Sequence, residues 1–590
     1  MSVTPETLAS TLEEIALLLE LKGENPFKTR AYRNGADIIR DFDGDIVQRA
    51  KDNDLKGIKG IGEALQDKLH ELASTGKLVY HIELKNEFPD TLFELFELQG
   101  LGPKKIKALW DELGIASIGG LRRACEDGKI ASLKGFGKKS VEKILAAIET
   151  RERFSGRYRL AEAASAAEPL RDYLRQHPDV HQLEICGSYR RGKETVHDID
   201  FLVATDKPAD LTAYFVAYES SIETIVHGET KASIRLGNGL QCDLRAVSNQ
   251  QFPFALQYFT GSKEHNVAMR SLARQRGWSL NEYDFTPLGD SSDPIPEITT
   301  EADIYASLGL TFVHPALREN KGELEAADQG TLPDLITQEN LRGTFHNHTT
   351  ESDGRNTLRQ MAEAAIELGL SYLGISDHSK ASFQANGLDE ARLLKQLEAI
   401  RELNEELEGA IHLFAGSEVD ILRDGSLDFC DEILEQLDFT VASVHNAFSL
   451  SEAEQTERVI KALQHPHVTM LGHSTGRLLL RREPYPIDLG AVIEAAAETN
   501  TIIELNCASK RMDMDWRHWH RARDKGVLCS INPDAHTVEG LQALHFGVRV
   551  AQKGWLRRRD VFNTRSLEEV RTFLATPKAE RGELSQAALR

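Results

Sequence analysis

The chain contains no run of about 18 apolar residues, so it offers no candidate transmembrane helix. Cysteine is scarce, six in 590 residues and without paired spacing. This excludes a disulfide framework and fits reduced cytosolic thiols, with Cys186 and Cys242 in apolar strand-like runs and expected in the core. An excess of positive charge is also missing. With 70 Lys and Arg against 92 Asp and Glu, the net charge is −22, which argues against a chain that grips nucleic acid with its whole surface. The N-terminal stretch MSVTPETLASTLEEIALLLELKG reads as an acidic amphipathic helix and lacks the basic n-region of a signal peptide. The acidic balance reverses only locally: residues 101–157 hold 13 Lys and Arg against 7 Asp and Glu. Such a patch suits duplex binding or a solvated helix face.

Between residues 343 and 536, seven short apolar runs each end on residues able to bind a metal. They are GTFHNH (His346, His348), LGISDH (Asp377, His378), LFAGSE (Glu418), TVASVH (His445), VTMLGH (His473), TIIELN (Glu504, Asn506) and LCSINPDAH (Asp534, His536). Helical-looking stretches separate them, at the spacing of βαβ units. Alternating strand and helix implies parallel strands, and in a parallel barrel all strand C-termini reach one face. One such His would be structural; seven in succession predict convergence on a metal site.

A second set lies upstream, in ICGSYRRGKETVHDIDFLV at 185–203. Strand side chains alternate faces, so Asp198 and Asp200 project to one side. Two carboxylates on one face are costly unless a cation neutralises them, and LQCDLR can supply a third, Asp243, from a neighbouring strand. Three carboxylates can hold two divalent ions for phosphoryl transfer. Gly187, Ser188, Arg191 and Gly192, just before them, suit phosphate.

Residues 1–150 read as short helices with glycine turns, and one pattern recurs three times. It pairs Gly60 with Gly62, Gly100 with Gly102 and Gly135 with Gly137, each pair followed by a helix. Such turns expose backbone N–H groups at a helix start, which binds phosphate without reading sequence. Lys104, Lys105, Lys138 and Lys139 stand just inside two of these helices. The divisions expected are 1–84 and 85–152 (helical, DNA-binding), 153–255 (α/β, with the carboxylates), 256–315 (a thumb-like segment), a polar connector 316–340, a barrel 341–575 and a fraying tail 576–590.

On these residues, 1–315 resemble the family X DNA polymerases, the group of DNA polymerase beta, and 341–575 resemble the PHP (polymerase and histidinol phosphatase) domain. The resemblance covers nearly the whole chain. It implies helix-hairpin-helix domains, a nucleotidyltransferase palm with a thumb, and a distorted (β/α)7 barrel. It makes Asp198, Asp200 and Asp243 the palm carboxylates holding two Mg²⁺ or Mn²⁺ ions, and places Ser188, Arg191 and Gly192 on the triphosphate. Tyr258, Phe259 and Gly261 become the turn that excludes a 2′-hydroxyl, and Asn266 and Arg270 contacts to nucleotide and template. His346, His348, Asp353, His378, Glu418, His445, His473, Asp534 and His536 match the nine PHP ligands, which hold up to three ions. Imidazole with carboxylate suits Mn²⁺, Zn²⁺ or Fe²⁺. The activities implied are template-directed gap filling in DNA repair and metal-dependent processing of 3′ ends and abasic sites. The partners implied are gapped or nicked duplex DNA and deoxynucleoside triphosphates, for a monomeric cytoplasmic, nucleoid-associated protein with no membrane contact.

Some positions depart from the family pattern. Lys263 stands where animal relatives have Asp, Thr344-Phe345 precede the first barrel His where Asp is common, and Asn532-Pro533 precede Asp534. Lys68 occupies the position of the Schiff-base lysine of lyase-active relatives, but Asn34 replaces a lysine found near the DNA end in them. Arg477, in GHSTGR, can bind phosphate or pair with a rim carboxylate. Two other readings are a nucleotidyltransferase fused to a small-molecule, histidinol-phosphate-like phosphatase, and an inert DNA-end scaffold. The three glycine turns argue against the first, and the complete ligand sets argue against the second.

Overall fold

A computed structural model of the chain describes residues 3–40, 42, 45–98, 101–133, 135–288 and 295–582. It divides into two units, Met1–Ser155 and Gly156–Arg590. No helix among the described residues is long and apolar enough to cross a membrane.

The first unit is helical. Its opening helix, Pro5–Lys22, starts at Thr4, whose side chain accepts from the Thr7 N–H, and stops at Gly23 in the left-handed region. Leu8, Leu12, Ile15 and Leu19 follow the helical period and are buried. One apolar core runs from Leu8 to Ile148.

The second unit contains two sheets of different kinds. The first has five strands: Gln182–Ile185, Asp198–Ala204, Gln241–Val247, Lys231–Leu236 and Ser221–His227, in that spatial order. Only the pair Asp198–Ala204 with Gln241–Val247 is parallel; the others are antiparallel. Helices Phe252–Thr260 and Lys263–Gln275 and the hairpin Trp278–Leu280 with Phe285–Pro287 follow.

The second sheet has seven parallel strands in sequence order, from Gly343–Thr344 to Cys529–Asn532. It closes on itself where Asn347 pairs in parallel with Ala535, and the His348 N–H donates to the Ala535 carbonyl at 2.8 Å. The expected barrel with seven strands is therefore what forms. Its interior is aromatic: the Phe345 ring lies 5.2–5.8 Å from those of Tyr372, Phe414, Phe439 and Phe562. Gly374 and Gly416 make room for that packing, since a Cβ at either would stand 2.7 or 2.5 Å from the Phe439 ring.

Residues 316–340 are folded. Arg318 is fully buried, donating to the Val313 carbonyl and to Glu301. Glu319 accepts from Lys553 of the barrel helix Leu544–Lys553 at 2.6 Å. The beginning of the expected fraying tail is packed as well: the Lys578 ammonium is buried on the carbonyls of Leu463 and His465, because that helix end leaves carbonyls without partners. Residues 583–590 lie outside the described residues.

Phe345→Ala should lower unit stability by about 3–5 kcal/mol in denaturant titration, because four aromatic neighbours cannot close the void. A loss below about 1 kcal/mol would mean that the barrel interior is loosely packed.

Candidate active sites

In the five-stranded sheet, the parallel register sets Asp200 directly beside Asp243, with Asp198 two residues earlier on the same face. The turn Gly187–Arg190 lies over them: a Cβ on Gly187 (φ +63°) would stand 2.6 Å from Asp200 Oδ2, so only glycine lets the backbone approach this carboxylate. Burial, then the charges of Asp198 and Asp243, push the Asp200 carboxyl up to about 7. Lys231 and Arg191 offset this only in part, and three acids crowded together in this way are a fit for divalent ions.

Arg191 reaches away from the acids. Its Nε donates to Glu319 at 2.9 Å and its Nη1 to the Thr260 carbonyl at 2.6 Å, which ties the phosphate turn to the end of helix Phe252–Thr260. Gly261 lies against the same guanidinium, 3.0 Å from where a Cβ would be. Tyr258 and Phe259 stack edge to face at 5.2 Å. Asn266 is nearly buried and its amide is engaged, donating to the Tyr258 carbonyl at 2.7 Å and accepting from Gln257 at 2.9 Å. Arg270 is half-buried on helix Lys263–Gln275. Ser188 is half-buried in the turn, and Gly192 (φ +67°) abuts the Arg549 carbonyl of the barrel.

The barrel gathers all nine predicted side chains at the strand C-termini. Three sets bring their ligand atoms within 4.8 Å of one another: His348, Asp353, His378 and His536; His346, His348 and Asp534; His378, Glu418 and His445. His473 joins through Glu418, 2.9 Å from its Nε2. Buried polar atoms are normally paired. Here His346 Nε2, both nitrogens of His348, His378 Nδ1, His473 Nδ1 and Glu418 Oε2 make no aligned hydrogen bond, although His378 Nδ1 and Glu418 Oε2 stand 2.9 Å apart. Imidazole nitrogens and carboxylate oxygens gathered this closely without aligned hydrogen bonds form a donor set that fits cations.

The charges are correspondingly strained. Burial, followed by His536 and His378, pushes His348 down to about 3. Burial also opposes charge on His445, but Glu418 and Asp420 outweigh it and lift the imidazole to about 10. Glu418 is held well below the usual range: burial opposes this, and His346, His445 and His378 overcome it.

Other strand-end residues orient the ligands. Glu504 accepts from His346 Nδ1 and from the His473 N–H, both at 2.7 Å. Asp377 accepts from Thr349, Ser352 and Gln396 and faces no imidazole. Arg477 pairs with Asp515 at 2.5 Å and donates to the Arg511 carbonyl, which selects the rim-carboxylate alternative. The cation near the cluster is instead Arg511, 3.2 Å from Asp534, beside Lys510 on the wall of a cavity of about 350 Å³. The sequence reading missed both, although they follow a strand end on a barrel loop, where function gathers.

In the first unit the three glycine turns share one hydrogen bond. The N–H groups of Ile61, Leu101 and Phe136 donate to the carbonyls of Ile58, Leu98 and Leu133 at 3.1–3.2 Å. Gly62, Gly102 and Gly137 are then N-caps without a side-chain cap, leaving the first-turn N–H groups to outside partners. No atom lies within 4 Å of a Cβ built on any of the three. Gly60 and Gly135 have φ of +97° and +92°; Gly100 lies outside the described residues. Lys104, Lys105, Lys138 and Lys139 occupy first turns as expected. Lys68 lies on helix Glu63–Thr75, its ammonium over the Tyr80 ring at 4.9 Å and donating to the Ala64 carbonyl.

Fold and sites together define a polymerase-beta-type nucleotidyltransferase joined to a PHP barrel whose imidazoles and carboxylates could hold metal, and comparison with known proteins agrees. Family models match at 5–78 (helix-hairpin-helix domain), 93–150 (SAM-like helix-hairpin-helix tandem), 159–234 (DNA polymerase beta palm), 255–319 (DNA polymerase beta thumb) and 344–507 (PHP domain). The DNA polymerase/3′-5′ exonuclease PolX of Bacillus subtilis (strain 168) is 38% identical over 565 residues, which is 95% of this chain and 98% of that protein. A probable phosphatase of Thermoanaerobacter sp. (strain X514) is 27% identical over 248 residues, 40% of this chain and 96% of that protein. A probable phosphatase of Caldanaerobacter subterraneus is 28% identical over 240 residues, 39% of this chain and 89% of that protein. The chain belongs to the PolX group of family X DNA polymerases, which carry a C-terminal PHP domain.

The Asp200 carboxyl gives a test of the acid cluster. Its folded pKa of about 7 lies above the ordinary 3.8, so without divalent cations the folded chain holds an extra proton between those values. That contribution to stability is lost as pH rises through about 7. In chelator, Tm of Asp200→Asn relative to wild type should therefore increase as pH is raised from about 4 to about 7 and level off above, and Mg²⁺ should stabilise the wild type more than the variant. A difference independent of pH would show that the three acids do not interact.

Proposed function

We propose that the chain is a DNA-directed DNA polymerase that fills short gaps in duplex DNA during repair, and that its barrel hydrolyses 3′ ends. The observation that carries this is the presence, in one chain, of two separate acid and imidazole clusters. One lies beneath a glycine phosphate turn, and the other is buried at the end of a parallel barrel. The named activities of the Bacillus relative support both halves.

In the palm, Asp198, Asp200 and Asp243 would hold two Mg²⁺ or Mn²⁺ ions, and in the barrel the nine predicted ligands would hold up to three of Mn²⁺, Zn²⁺ or Fe²⁺. When bound, such ions neutralise phosphate charge and stabilise the attacking and leaving oxygens. The chain does the rest by position. The Gly187–Gly192 turn and Ser188 receive the triphosphate through backbone N–H groups and hydroxyl, and Arg191, its guanidinium held by Glu319 and the Thr260 carbonyl, adds positive charge beside them. Asp243 favours loss of the primer 3′-hydroxyl proton; that oxygen joins the α-phosphorus and pyrophosphate leaves. Tyr258, Phe259 and Gly261 bound the sugar, with Asn266 and Arg270 next to them. In the barrel, Lys510 and Arg511 give the cavity a cationic wall for the scissile phosphate. Water adds to the phosphorus, the penultimate 3′-oxygen leaves, and a nucleoside monophosphate is released. The three glycine turns with Lys104, Lys105, Lys138 and Lys139 grip the duplex backbone, and Lys68 is the candidate for a Schiff base at a 5′ sugar. The phosphatase relatives favour a second reading of the barrel, hydrolysis of a small phosphate ester.

Asp200→Ala should abolish primer extension on gapped duplex while sparing 3′-end hydrolysis, because phosphoryl transfer depends on positioned ions. His346→Ala and His536→Ala should do the reverse and bind fewer ions by metal analysis. Primer extension at wild-type rate by Asp200→Ala would show that the palm site is misplaced. Surviving hydrolysis in both histidine variants would remove the barrel as the nuclease.

A further inference from the structure

The rim of the barrel cavity carries an aromatic residue that packing does not explain. Phe383 is 77% exposed, the most exposed large apolar side chain among the described residues of the second unit. It belongs to none of that unit's apolar clusters. Yet it lines the cavity that holds Asp353, His378, His445 and His536, with Lys510 and Arg511 also on its wall.

The segment that presents it is held at many points. The Ala381 N–H donates to Asp428 at 2.6 Å, and the Ser382 hydroxyl donates to Asp420 at 2.6 Å and lies 3.3 Å from His445 Nδ1. Phe383 starts a one-turn helix that ends at Asn386 in the left-handed region (φ +54°), and the Asn386 amide donates to the carbonyls of Glu351 and Ser352. Gly387 then passes so close to the Ser379 carbonyl that no Cβ fits. The backbone that carries Phe383 is thus anchored on both sides, and it sets the ring in water beside the strand end that bears Glu418, so that much of the segment's ordering cost is already met by the fold.

The cavity, about 350 Å³, is at the small end of the range for ligand pockets, so it suits one terminal nucleotide rather than a longer stretch of strand. We propose that Phe383 is the stacking platform for the base of the 3′-terminal nucleotide, and hence a specificity-determining residue that commits the barrel to nucleic-acid ends rather than small phosphate esters. A flat aromatic face accepts any of the four bases, as a sequence-independent hydrolase requires. The cationic wall would take the phosphate on the 5′ side of that nucleotide. The inference rests on the reading of the barrel as a 3′-end hydrolase.

The test uses the full chain with Mn²⁺ and two single-stranded oligonucleotides that differ only in the last residue, a normal nucleotide or a stable abasic one. Phe383→Ala should raise the ratio of KM for the base-bearing end to KM for the abasic end by about tenfold or more. Phe383→Trp should keep the wild-type ratio. The side chain is exposed, so neither change should alter Tm. An unchanged ratio in Phe383→Ala, or equal loss on both substrates, overturns the proposal. If the wild type shortens neither oligonucleotide, the hydrolase reading itself falls and the proposal with it.

Discussion

Closure of the barrel is the constraint on which the larger candidate site depends. His346 and His348 follow the first strand, and Asp534 and His536 follow the last, nearly the whole domain away in sequence. The pairing of Asn347 with Ala535 makes them neighbours. Because every strand is parallel, the intervening ends deliver His378, Glu418, His445 and His473 to the same face. Aromatic rings fill the barrel below, so the imidazoles above them have little freedom to turn aside. The glycines at 374 and 416 belong to the same constraint: they let Phe439 into the interior, and the interior supports the ligands.

A buried carboxylate among imidazoles is expensive unless something positive is shared. Glu418 has four imidazole nitrogens, from His346, His378, His445 and His473, within 3.3 Å of its oxygens. The chain accepts this cost at Glu418 and again at Asp534, which faces His346, His348 and His536, and it holds the imidazoles with partners such as Glu504, which orients His346 from behind. That arrangement is the economy of a preorganised centre, in which stability is given up locally for geometry.

The two centres of the second unit are joined by built contacts. Lys553, buried on the barrel helix, donates to Glu319 and to the Arg191 carbonyl, and Glu319 in turn accepts from Arg191. Arg549 donates to the Tyr189 carbonyl, one turn earlier on that helix. The turn Gly187–Arg190 over the palm acids is thus held from behind by the barrel. Glu319 is shared by Arg191, Lys193 and Lys553, and removing it would leave three cations at the seam without their common carboxylate, so this seam is a place where the folding of the two parts is coupled.

Much of this was legible in the residues because it is carried by local periodicity. Alternation on a strand puts Asp198 and Asp200 on one face, and a strand-then-helix rhythm implies parallel strands whose ends converge. Three copies of one glycine turn point to three copies of one backbone geometry. Those rules act over a few residues or one supersecondary unit, and the sequence displays them directly. What depends on side chains meeting from distant segments was decided only by tertiary structure. Arg477 and Arg511 look alike as arginines on barrel loops. Packing turns the first toward Asp515 and brings the second to Asp534, and no spacing rule distinguishes them. The same holds for Lys553, an ordinary helix-end lysine until Glu319 and the Arg191 carbonyl bury it. Phe383 is the opposite case, an apolar residue that the fold leaves in water. Sequence fixes which groups exist and which local face they occupy; the charge each one meets, and whether it meets water, is settled by the closing of the barrel and the seam.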